Sequence, residues 1–130
     1  MTRGGSATRR GVDGHTRAVR RLLAACVGGD VRRVTAVLHP AIVLVDDTDE
    51  PAPDRAPGRD AAALHLSAVL CPTGGIEVVQ GSVNGRTGLV LRRGPLVVAV
   101  ISVGVRRRRV DRIWITRQPD HLSDFNRKVV

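Results

Sequence analysis

The sequence has almost no aromatic residues. Trp114 and Phe125 are the only two among 130 residues, and tyrosine is absent. A core must therefore be built from Val, Leu, Ile and Ala, and any ligand pocket would have mainly aliphatic walls. The missing tyrosine removes the phenol that some isomerase sites use as an oxyanion donor. Lysine is nearly absent too: Lys128 stands alone, so the formal net charge of +9 is almost wholly arginine. Such a balance reflects either biased codon use or an anionic partner. Nucleic acid is not the expected partner, because neither a groove-reading helix nor a series of stacking aromatics accompanies the charge.

Cysteine is sparse. Cys26 and Cys71 have neither metal nor redox spacing, and both lie in apolar helical patterns, where Cys acts as a small hydrophobe. A disulfide between them is not expected. No apolar run reaches about 18 residues, so no membrane span is expected. Arg9-Arg10 lacks the apolar stretch that would make it a twin-arginine signal. These absences point to a soluble, cytoplasmic protein. There is no Gly-x-Ser-x-Gly elbow, no phosphate loop and no His/Cys/Asp cluster at metal-ligand spacing, so neither a cofactor nor a metal is expected. No repeat of about 20–50 residues is present, which excludes a solenoid.

What is present is a run of β-branched residues over 76–119. It divides into strands over 76–83, 88–92, 96–105 and 109–116, because Val, Ile and Thr suit a pleated, half-buried surface. Asn84-Gly85 is a strong hairpin signal, since both residues tolerate positive φ. Gly94-Pro95 marks the next turn. Arg106, Arg107 and Arg108 mark the third, where Arg is a poor residue for positive φ, so an open loop longer than two residues is predicted. Together these make a four-stranded antiparallel meander.

Upstream of the meander the period changes to that of a helix. Residues 1–14, rich in Gly, Arg, Ser and Thr, have no periodicity and are expected to be disordered. Val19, Leu22, Leu23, Cys26 and Val27 form the apolar stripe of a helix over 15–27, and Gly28-Gly29 stops it. Asp30 is placed to cap a short helix over 31–38, ended by Pro40. Residues 41–45 read as a strand and 46–58 as an acidic, proline-containing loop. A helix over 59–70 follows, with Asp60 as N-cap and Ala63, Leu64, Leu66, Ser67 and Leu70 on adjoining turns. Pro119 opens a last helix over 119–128. One α+β domain over 15–128 results, with helices packed on one face of an antiparallel sheet.

This order, with the local motifs, resembles the NTF2-like superfamily. The residues that carry the resemblance are Val83-Asn84-Gly85-Arg86-Thr87-Gly88-Leu89-Val90-Leu91-Arg92 and Trp114-Ile115-Thr116-Arg117-Gln118-Pro119-Asp120-His121-Leu122, with Leu38-His39-Pro40, Val43-Leu44-Val45-Asp46-Asp47 and Gly58-Arg59-Asp60 in support. More narrowly the chain resembles the SnoaL-like domain at the C-terminus of extracytoplasmic-function sigma factors. In that group the second stretch usually ends Asn-Pro-Asp-Lys-Leu, so Gln118 and His121 are departures. A glycine run often follows the first strand there, whereas Asp47 is followed here by Thr48, Asp49 and Glu50. The resemblance implies a cystatin-like cone, a curved antiparallel sheet wrapped on helices around a pocket. Only residues 1–14 precede the first helix, so the chain is not expected to work as a sigma factor by itself.

The candidate site residues follow. Asp46 and Asp47 end the first strand, where the resemblance implies a carboxylate serving as general base. An apolar lining would raise its pKa toward neutrality. The bland alternative is a solvated acidic loop with Asp49, Glu50 and Asp54. His65 lies on the helix expected to roof the pocket, as ligand-binding residue or satisfied core group. Asn84, Arg112 and Trp114 are further ligand-binding candidates. Alternation puts Trp114 with Val110, Arg112 and Thr116 on one face, and Ile113 and Ile115 with Asp111 and Arg117 on the other, unless a bulge reverses one end. An epoxide-hydrolase-like set can be drawn from Asp46, Arg112 and Asp111. The arginines of 106–109 read as a solvated tip or as a docking point for an acidic protein partner.

Three functions remain in view. The first is a regulatory domain binding a small apolar ligand or a protein partner. The second is a small cofactor-independent enzyme resembling polyketide cyclases, isomerases or epoxide hydrolases. The third is a dimerisation scaffold, which holds if side chains fill the cone. A homodimer through the outer sheet face is expected, because strands rich in Val and Ile leave apolar surface on the side without helices.

Overall fold

The computed structural model describes residues 3–48, 58–70 and 75–126, with the backbone alone for 3–13. The chain runs α1 (Arg3–Val27), α2 (Val31–Val37), β1 (Leu38–Asp46), α3 (Arg59–Leu70), β2 (Ile76–Val83), β3 (Arg86–Arg93), β4 (Leu96–Arg106), β5 (Arg109–Thr116), a 3₁₀ turn (Pro119–Leu122) and α4 (Ser123–Asn126). Cys71, Asp49, Glu50, Asp54 and the last residues of the expected tail helix lie outside the described residues.

α1 starts inside the segment whose composition predicts no regular structure; among the described side chains, His15 is the first that is buried. Gly29, at φ +71, ends it, a conformation that Cβ would strain. Asp30 caps α2 as expected, accepting from the backbone N–H of Arg32 and Arg33 at 3.0 and 3.3 Å. Leu38 is already extended, so β1 begins there and not at Ala41. Pro40 is accommodated in an irregular stretch of this edge strand, where no ladder donor is needed. α3 has the predicted bounds, but Asp60 lies within its first turn. It is the Gly58 carbonyl that accepts from Ala62 N–H, at 3.0 Å. Leu64 faces solvent, and Ala62 takes the inward place expected for it.

The strands form one sheet in the order β1-β5-β4-β3-β2. β2 to β5 are the antiparallel meander, and β1 joins parallel to β5. The β4–β5 turn departs from expectation. Arg106 pairs directly with Arg109, and Arg107 and Arg108 take φ of +51 and +71. It is a two-residue primed turn made of arginine. Primed turns match the right-handed strand twist, and that fit outweighs a cost of about 1 kcal/mol for each left-handed residue.

A bulge follows. Gly104 pairs with Arg112 and Val105 with Val110, so Asp111 is the extra residue. It reverses the alternation: Val110 joins Ile113 and Ile115 in the core, while Arg112 and Trp114 stay outside. The inner face of the sheet is covered by α1, α2 and α3. Val19, Leu22, Leu66, Leu89, Ile101, Ile113 and Ile115 belong to one continuous buried cluster there, each at 1% exposure or less. Each such side chain stabilises the fold by about 2 kcal/mol. Cys26 belongs to the same cluster, and burial pushes its thiol pKa up to about 12. On the outer face Val83, Val100 and Leu122 form a smaller cluster with Val90, Val97 and Phe125. The Asn126 amide closes it, exchanging two hydrogen bonds with the backbone of Val97 at 2.8 and 2.9 Å. Among the described residues no helix is long and apolar enough to cross a membrane.

Candidate functional site

Parallel pairing brings the C-terminal ends of β1 and β5 to one edge, with Asp46 opposite Ile115. The core parity of β1, Ile42-x-Leu44-x-Asp46, turns the Asp46 side chain inward, where it is completely buried. The same parity on β5 sends Arg117 to the inner side after Ile113 and Ile115. α3 lies above and supplies His65.

The Asp46 carboxylate is fully occupied. One oxygen accepts from Thr48 N–H at 3.1 Å, Thr48 Oγ1 at 2.8 Å and Arg117 Nε at 3.3 Å. The other accepts from Arg117 Nη2 and meets His65 Nε2 at 2.8 Å. Burial acts to raise the pKa of this group. The hydrogen bonds from Arg117, His65 and Thr48 outweigh it and hold the carboxyl at about 2. The raised pKa that an apolar pocket predicts is thus reversed, because the site supplies donors along with the desolvation.

Asp47 points the other way along the backbone and ties down the exit from β5. Its carboxylate accepts from the N–H of Arg117 at 2.8 Å and of Gln118 at 3.1 Å, and meets His121 Nδ1 at 2.8 Å. The Gln118 amide donates to the Asp47 carbonyl. Burial again acts upward, and the bonds from His121, Arg117 and Gln118 bring the pKa below its ordinary value. Gln118 and His121 are the two departures from the sigma-domain pattern, and both bind Asp47.

The other candidates lie elsewhere. Trp114 and Arg112 stand on the outer face, with the guanidinium 5.5 Å from the indole centroid. Asn84, at φ +54 in the β2–β3 turn, and Trp114 border a shallow outer hollow of about 380 Å³ with Ser102, His121 and Phe125. Asp46, Arg112 and Asp111 do not meet: Asp46 is inside, and Arg112 outside. Asp111 instead faces Arg106, at 3.5 Å. His65 and Arg117 border a small hollow of about 240 Å³ against Ala68 and Val69. Beneath the helices lie the aliphatic side chains of the core cluster. Arg117, which holds the Asp46 carboxylate, is not among the candidates that the sequence singles out. Its placement with Ile113 and Ile115 on one face was the available signal.

No family model matches the chain, and no curated protein matches it. Solved structures do. The extracytoplasmic function sigma factor SigJ of Mycobacterium tuberculosis superposes with a TM-score of 0.62 at 24% identity, over 85% of this chain and 44% of that one. The present chain therefore spans less than half of that sigma factor's length. An NTF2-like protein of unknown function from Mesorhizobium loti gives a TM-score of 0.60 at 15% identity, over 82% and 93% of the two chains. An LEH-like epoxide hydrolase of M. tuberculosis gives 0.50 at 22% identity, over 82% and 84%. The fold is the NTF2-like, cystatin-like one.

Proposed function

We propose that the chain is a non-catalytic, SnoaL-like regulatory domain of the cytoplasm that acts by binding a protein partner, on a scaffold that pairs with itself. The observation that carries this reading is the occupied Asp46 carboxylate, which accepts from Arg117 and Thr48 and meets His65. Leu22, Leu66, Leu89, Ile101 and Ile113 are buried aliphatic side chains of one core cluster. The buried carboxylate Asp46, held at about 2, is a weak base at neutral pH. The exposed arginines of the β4–β5 turn favour a protein surface over a small apolar ligand. The likeness in fold to the sigma factor SigJ supports looking for that partner among components of transcription initiation. The test is sedimentation of the chain with an extracytoplasmic-function sigma factor reduced to its polymerase- and promoter-binding regions. A stoichiometric complex is expected. Independent sedimentation at tens of micromolar would count against the reading.

A second reading rests on one contact, His65 Nε2 to Asp46 at 2.8 Å. Here Asp46 orients the ring, and His65 Nδ1 serves as the base beside the small hollow it borders. Turnover of epoxides or ketosteroids by the chain, abolished in His65→Ala, would favour it.

A further inference from the structure

One feature outside the Asp46 site is a groove between the α1–α2 hairpin and the β4–β5 turn. It has a volume of about 650 Å³ and is lined by Arg21, Arg33, Arg107, Arg108 and Arg109 above a floor of Ala24, Ala25, Ala36 and Val37. Among the described residues no carboxylate lines it. Its charge is only lightly countered: Arg33 reaches Asp30 at 3.6 Å with both side chains well exposed, and Arg21 donates to the Arg108 carbonyl. Among the described residues the side chains of Arg107 and Arg109 have no ion-pair or hydrogen-bond partner. Two of the arginines are held at positive φ, where Asn or Gly would sit without strain. Strained residues persist where the surroundings over-determine them, and they cluster at binding sites.

We infer that this groove docks an acidic segment of a protein partner, one that carries carboxylates on both sides of a single aliphatic side chain. Guanidinium groups pair carboxylates in bidentate geometry, which fixes the outer positions. The aliphatic side chain meets the alanine and valine floor. A nucleic-acid backbone would satisfy the arginines but offers nothing apolar to the floor, and no aromatic group borders the groove to stack a base. A small molecule is disfavoured because Ala24 and Ala36 are exposed, so the groove is too shallow to bury most of a ligand's surface. This inference rests on the protein-binding reading above and names the surface and the chemistry that reading leaves open.

The experiment titrates the full chain into a short acetylated peptide of glutamates around one leucine, followed by fluorescence anisotropy at low and moderate salt. Saturable binding is expected. It should weaken about tenfold in Arg107→Glu/Arg109→Glu. It should also weaken when serine replaces the leucine. Arg33→Gln, on α2 and outside the turn, should weaken binding to a smaller degree and guards against a misfolded double variant. Equal binding by the variants, or by the serine peptide, would overturn the proposal. So would a short DNA duplex that binds more tightly than the peptide and is lost in the same variants. If the peptide fails while the sigma-factor complex forms, only the groove assignment falls. If the peptide binds and the complex does not form, the wider reading falls instead.

Discussion

Arg117 grips two consecutive aspartates by different means: its guanidinium closes on the buried Asp46 carboxylate, and its backbone N–H donates to Asp47 at 2.8 Å. The end of β1 is thereby locked to the exit of β5. Thr48 adds a third tie, accepting from Arg117 Nη2 at 3.0 Å.

Replacing Arg117 by Met should therefore destabilise the domain strongly, because Asp46 would stay buried with its main counter-charge gone. Removing one partner of a fully buried pair costs about 3–5 kcal/mol. Arg117 is itself 36% exposed, and His65 and Thr48 remain, so about 2 kcal/mol is expected. Chemical denaturation of the variant reads this directly. Adding Asp46→Asn should restore part of the loss, since the stranded charge is then removed.

The pH dependence follows from the same pair. The folded pKa of Asp46 is depressed to about 2 from an ordinary 3.8, so its contribution is fully present above pH 4 to 5. It is lost as pH falls from there through about 2, and amounts to about 2 kcal/mol. Asp47 is shifted in the same direction and adds to the slope. Urea unfolding at stepped pH should show wild-type stability falling over this window, and a shallower fall in Asp46→Asn.

The arginine turn should carry removable strain. Arg107→Asn with Arg108→Gly supplies the residues a primed turn prefers and should stabilise the domain by about 1 kcal/mol, read as a higher melting temperature. The Arg108 carbonyl that accepts from Arg21 is kept. The same variant should bind the acidic peptide less well. An unchanged melting temperature would mean that Arg107 and Arg108 hold these angles at no cost.

Trp114 is 47% exposed on the outer face and borders a hollow with Thr116 and Phe125, while Val83 and Val100 beneath are buried. A homodimer through this face should appear in sedimentation at micromolar concentration and dissociate in Trp114→Asp, which puts a charge where an interface would exclude water. A wild-type chain that remains monomeric throughout that range would reject this assembly.

Local chemistry determined much of this protein. β-branched runs and Asn84-Gly85 set the meander, Gly28-Gly29 and Asp30 set the α1–α2 corner, and the apolar stripe of α1 set its packed face as far as Cys26, with Val27 left 61% exposed. These features depend on neighbours a few residues away, and periodicity reports them. Tertiary structure alone decided the rest. Asp46 and Arg117 are far apart in the chain, and only the parallel pairing of β1 with β5 puts them together, turning an expected base into a fixed ion pair. The bulge at Asp111 moved Val110 into the core and left Trp114 outside, a shift of one residue that alternation could not locate. At the arginine turn, residue preference predicted an open loop, and the twist of β4 and β5 imposed a tight one. In each case a long-range constraint, strand pairing or burial, outweighed a local preference worth about 1 kcal/mol.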